Sequence, residues 1–120
     1  MKLNWFEIGV TDMNRAIAFY EAVFGIKISS QDFGGTLMGF FPRPTSNEMT
    51  SGSLIQHESY VPSQEGALLY FYAEDITACL ERVATAGGKI LQNKTQISEE
   101  HGYMGVFLDS EGNRIALHST

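Results

Sequence analysis

The stretch WFEIGVTDMNRAIAFYEAVFG, residues 5–25, changes its period at a single residue. Before Asp12 the apolar residues alternate, with Phe6, Ile8 and Val10 on one side of an extended chain and Trp5, Glu7 and Gly9 on the other. After it, Ala16, Ile17, Tyr20, Val23 and Phe24 recur at helical spacing. Asp12 is suited to accept from the first free amides of that helix. Gly25 enters the left-handed region without strain and stops the helix after about three turns. A strand, a capped helix and a stop are written in one run.

The same order returns in ALLYFYAEDITACLERVATAGG, residues 67–88, where Asp75 precedes a stripe of Ile76, Leu80 and Val83, and Gly87 and Gly88 close it. An offset of 63 residues carries Asp12 onto Asp75 and Gly25 onto Gly88. Further on, Met-Gly-x-Phe at 38–41 is answered at 104–107. Three more strand-like runs follow each helix: KISSQ, TLMGFF and SGSLIQ in the first copy, KILQNK, GYMGVFL and NRIALH in the second. The pattern predicts an α+β fold of two tandem βαβββ modules, residues 1–59 and 66–120, joined by a linker at 60–65 within one domain, 1–120.

Across 120 residues, 14 Asp and Glu outnumber 8 Lys and Arg, for a formal net charge of −6. That balance repels phosphates, so neither nucleic acid nor an anionic membrane is an expected partner. Cys79, the single cysteine, leaves no intramolecular disulfide, and beside the apolar stripe of the second helix it reads as a small hydrophobe. No run approaches the roughly 18 to 20 apolar residues of a membrane span, and Glu7 and Asp12 interrupt any secretory leader. A cytoplasmic location is the expectation.

EIGVTDMNRAIAFYEAVFG and GYMGVFLDSEGNRIALHS resemble the glyoxalase / bleomycin-resistance / dioxygenase superfamily, also called vicinal oxygen chelate, in its lactoylglutathione-lyase-related branch. The similarity covers nearly the whole chain. It implies that the two modules form a curved mixed sheet around a cavity, commonly in a homodimer. In metal-using members it implies a divalent ion held by His, Gln or Glu side chains from the first and last strands of each module, acting as a Lewis acid on vicinal oxygens of a small substrate. Carried over by position, the first ligand falls seven residues before the capping Asp, on Trp5, and its repeat on Leu68. The last-strand ligand falls four residues after the glycine of the DSEG turn, on Ala116. The remaining position lies in SGSLIQHES, where Gln56 competes with its neighbours. Trp, Leu and Ala do not coordinate. The usual metal site is thus not expected to be retained, no cofactor is expected, and a divalent ion stays open only through shifted ligands.

With Phe6, Ile8 and Val10 beneath the helix, the opposite faces carry Trp5, Glu7 and Gly9, then Leu68, Tyr70 and Tyr72, then Ala116 and His118. With Gln56 these make the candidate ligand-binding set, an aromatic, acidic pocket suited to a neutral or cationic small molecule. Glu7 is the candidate catalytic residue, because a carboxylate buried in an apolar strand acquires a raised pKa useful in acid/base chemistry. Its other reading is a pairing with Arg114, Lys2 or a tyrosine hydroxyl that only orders the sheet. His118, near the chain end, reads either as a cavity group or as a frayed terminal side chain.

Two functions from different classes follow. One is a binding protein that holds a small organic molecule in its sheet cavity without the usual metal. The other is an enzyme of the superfamily's lyase/isomerase or dioxygenase type, with metal ligands shifted two residues along the strands, for instance to Glu7, His118 and a residue of QHE at 56–58. In both, exposed sheet edges favour a homodimer.

Overall fold

The computed structural model of the protein describes residues 1–46 and 50–120. Its elements run β1 (Trp5–Gly9), α1 (Met13–Phe24), β2 (Ser29–Phe33), β3 (Thr36–Phe40), β4 (Ser51–Gln56), β5 (Leu69–Tyr72), α2 (Ile76–Thr85), β6 (Lys89–Ser98), β7 (Gly102–Leu108) and β8 (Arg114–Ser119). This is βαβββ twice, as the repeat predicts.

The strands make two four-stranded sheets, ordered β1-β4-β3-β2 and β5-β8-β7-β6. In each, the first and last strands of the module lie side by side and parallel, and the other neighbours are antiparallel. The two sheets remain separate ladders within the chain. The modules meet instead through α1 against α2 and through aromatic side chains that cross between them. Phe6 meets Phe71 edge-on at 5.6 Å, and Phe19 meets Phe107 at 6.0 Å. One core cluster therefore runs from Ile8, Phe19 and Leu54 to Val83, Phe107 and Leu117. Each such side chain contributes about 1.5 to 3 kcal/mol on leaving water, which is why the helix-facing positions of β1 and β5 are apolar.

Both helices start as their sequences dictate. The Asp12 carboxylate accepts from the Arg15 amide and the Asp75 carboxylate from the Ala78 amide. At the other end the repeat slips. Gly25 takes the left-handed conformation at φ 64° and donates its amide to Glu21 O. In the second module Ala86 caps the helix and Gly87, at φ 102°, is the left-handed residue. Gly88, the sequence equivalent of Gly25, answers a steric demand instead, since a Cβ there would lie 2.5 Å from Leu108 O and 2.7 Å from the Phe19 ring. It lets the chain pass between β7 and α1.

Candidate functional site

Strand register decides which side chains share a face. Trp5 pairs with Ser51 and Glu7 with Ser53; Tyr70 pairs with Ala116 and Tyr72 with His118. Phe40 lies opposite Ser53, and Met104 opposite His118. One sheet thus presents Trp5, Glu7, Ser53 and Phe40 away from the helices, and the other presents Tyr70, Tyr72, Ala116 and His118. The expected alternation holds in both modules, with Leu68 half-buried one residue ahead of β5. Yet the candidates divide into two groups, one per sheet, and Trp5 and Tyr72 line different cavities.

Gln56 leaves the set. It pairs with Leu37 on the helix-facing side, and its Oε1 accepts the Met13 amide at 2.7 Å, capping α1. The position that SGSLIQHES left open falls on Ser53, which relates to Ala116 by the same 63-residue offset that relates Glu7 to Tyr70. Ala116 is fully buried. Ser53 is fully buried too, and among the described residues its Oγ is the one buried side-chain oxygen or nitrogen without a hydrogen-bond partner.

Glu7 is exposed rather than buried, because β1 is an edge strand and its outer face is open to water. Among the described residues it has neither an ionic nor a hydrogen-bonding partner, so the expected pairing with Arg114, Lys2 or a tyrosine is not formed. His118 is not frayed: it lies within β8, and its Nε2 is 2.7 Å from the His101 carbonyl. A carbonyl oxygen only accepts, so Nε2 carries the hydrogen and donates, leaving Nδ1 free. Trp5, Tyr70 and Tyr72 are exposed by 40%, 52% and 66%. Cys79 is buried, with its thiol pKa raised by that burial, consistent with an inert packing role.

The superfamily's divalent ion can be tested against this geometry. Trp5, Ser53, Leu68 and Ala116 together offer one hydroxyl and neither carboxylate nor imidazole, and among the described residues no three His, Cys, Asp or Glu side chains converge. That donor set does not fit a divalent ion, which takes three or more such ligands.

What sequence reasoning missed is the work of the DSEGN turn, residues 109–113. Glu111 Oε1 accepts the amides of Thr11 and Asp12, each at 3.0 Å, while Arg15 donates through Nε to Oε2 at 2.7 Å and through Nη2 to Oε1 at 2.9 Å. Its side chain has no solvent exposure. Burial pushes the carboxyl up, but the Arg15 fork, the Asp12 amide, the Ser110 hydroxyl and the Thr11 amide outweigh it and bring the pKa down to about 2. Asp109 accepts from the buried Tyr20 hydroxyl at 2.6 Å, and burial together with that carboxylate holds the phenol well above its ordinary range. Asn113 Nδ2 donates to Gly9 O, and its Oδ1 accepts from Ser63. The turn of the second module thereby grips the strand end, helix start and linker of the first.

A cavity of about 680 Å³ opens on the outer face of the first sheet between β1, β2, β3 and the 42–44 segment. Its floor is Trp5 and Phe40, whose rings are 6.1 Å apart. Glu7 does not line it, and among the described residues its charged groups are the cations Lys27 and Arg43 in place of the acidic character expected.

Two βαβββ modules with these ladders, caps and turn define a known class. The model of the Glyoxalase/Bleomycin resistance protein/Dioxygenase superfamily matches residues 2–117, and the chain belongs to that superfamily. A glyoxylase-like domain-containing protein of Didymella fabae is 30% identical over 122 residues, covering 97% of this chain and 91% of the relative. Among solved structures, glyoxalase I from Zea mays superposes with a TM-score of 0.75 at 22% identity, covering 98% of this chain and 45% of the maize chain. A glyoxalase/bleomycin resistance protein from Albidiferax ferrireducens T118 gives 0.70 at 19% identity over 96% of both chains. These structural likenesses are of fold.

Proposed function

We propose that the chain is a binding member of its superfamily, holding a small organic molecule against its sheet faces without the divalent ion of the usual site. The observation that carries this reading is the register just described: the four usual ligand positions hold Trp5, Ser53, Leu68 and Ala116, a single oxygen donor among them. A homodimer is part of the proposal. The exposed aromatic rings of Trp5, Tyr70 and Tyr72 and the open faces of two separate sheets favour covering by a second copy.

One observation favours the second reading, a metal-dependent lyase or isomerase. Glu7 and His118 lie two residues beyond Trp5 and Ala116 on the same faces, so two copies facing each other would bring a carboxylate and an imidazole together without changing any strand. His118 would ligate through Nδ1, its Nε2–H being held by His101.

Elemental analysis of protein purified without chelator, followed by nickel, zinc and manganese titration and sedimentation equilibrium, separates the two. The binding reading expects no stoichiometric metal and a dimeric mass. Near-stoichiometric metal that disappears in Glu7→Gln with His118→Ala would establish the enzyme reading instead, and a stable monomer would sink the dimer.

A further inference from the structure

The cavity over the first sheet has a chemical character opposite to that of the chain. The protein carries a formal charge of −6, yet among the described residues this cavity is lined by two cations, Lys27 and Arg43, and by no acid. Neither cation is spent internally: among the described residues neither has an ionic or hydrogen-bonding partner. The same cavity is lined by the rings of Trp5 and Phe40 and, from β2, by Ser29 and Gln31, whose side chains are also uncommitted among the described residues.

Two free cations at an aromatic floor match a planar organic anion, not a cation, which Lys27 and Arg43 would repel. An inorganic phosphate would satisfy the charge and leave the rings in water. Arg43 suits a carboxylate in particular, since its planar fork donates two parallel hydrogen bonds. The overall negative charge opposes entry only weakly, because charges more than about 8 Å away are screened at physiological salt.

We propose that this cavity binds an aromatic carboxylate, its ring against Trp5 and Phe40 and its carboxylate between Lys27 and Arg43. The inference rests on the small-molecule reading above and narrows it to a ligand class.

Trp5, the chain's single tryptophan, is part of the floor, so its fluorescence reports occupancy. Three probes share one quenching ring and differ in charge: para-nitrobenzoate, para-nitrobenzamide and para-nitrobenzylamine, each titrated to millimolar concentration with calorimetry alongside. The benzoate should quench saturably and bind about tenfold more tightly than the amide, the scale of a charge-assisted contact that is partly open to solvent. Lys27→Gln with Arg43→Gln should remove that advantage, so that benzoate binds no more tightly than the amide. Both side chains are exposed, so an unaltered melting temperature is expected for the double variant. Preference for the amine, or a double variant that binds benzoate undiminished, overturns the anion assignment and leaves the small-molecule reading standing. No saturable binding of any probe overturns both.

Discussion

Asp12 and Asp75 make the same hydrogen bond, carboxylate to the amide three residues on, at 3.1 and 3.0 Å. Around Asp75 no other side chain among the described residues takes an amide of the first turn. Around Asp12 the next amide, Met13, goes to Gln56, and the amides of Thr11 and Asp12 itself go to Glu111. Two copies of one module therefore differ in how their helices are held. α2 is capped by its own sequence; α1 is capped and then clamped from β4 and from the far module. The repeat supplies each helix, and the asymmetry joins the halves into one domain.

Glu111→Ala tests that asymmetry most severely. It takes the shared acceptor from two amides and from the half-exposed Arg15 guanidinium, and the expected loss is about 2 to 3 kcal/mol, on the order of 10 °C in melting temperature. Asp75→Ala removes one cap and should cost about 1 kcal/mol. Equal costs would mean that the clamp does no more than a local cap. The same contrast has a pH signature. The Glu111 pKa is about 2 in the folded chain, below its ordinary 4.5, so its contribution is fully present above pH 4.5 and lost as pH falls toward 2. Urea unfolding over that range should show about 2 to 3 kcal/mol of acid destabilisation that Glu111→Gln removes.

The local half of this architecture was legible in the sequence because its signals are local. Asp12, the helical stripe and Gly25 lie within one run, and alternation correctly put Trp5 with Glu7 and Tyr70 with Tyr72. The clamp was not legible, because Glu111 and Thr11 stand 100 residues apart and a DSEG turn gives no hint of whose amides it will meet. Gln56 was misplaced for a related reason. Pairing between the parallel strands β1 and β4 is not written in either strand, and a shift of three residues, from Ser53 to Gln56, crosses to the opposite face. Lys27 and Arg43 escaped notice because one follows a helix stop and the other sits between prolines, where no period marks a shared surface.

The ends of the helices sharpen the comparison further. Gly88→Ala would drive a Cβ to 2.5 Å from the Leu108 carbonyl oxygen, and backbone yields less readily than a flexible side chain. About 2 kcal/mol of destabilisation is expected. Gly25→Ala meets no atom within 4 Å and suffers only the left-handed backbone, about 1 kcal/mol. If the order were reversed in thermal melts, Gly88 would be a helix stop after all and the repeat would be exact at that position.

The smallest effect lies at the paired positions Ser53 and Ala116, where one module has a hydroxyl and the other none. A buried hydroxyl without a partner is a net cost, since it gave up water and gained no hydrogen bond in return. Ser53→Ala makes the first module match the second and should leave stability unchanged or raise it by up to about 1 kcal/mol. A loss larger than that would mean the hydroxyl is bonded in the protein in solution, by a second copy or a bound molecule. Repeating the melt with para-nitrobenzoate present tells these apart. A hydroxyl that serves the ligand makes Ser53→Ala lose part of the ligand-induced gain in melting temperature, whereas one that serves the dimer makes the melting temperature depend more steeply on protein concentration.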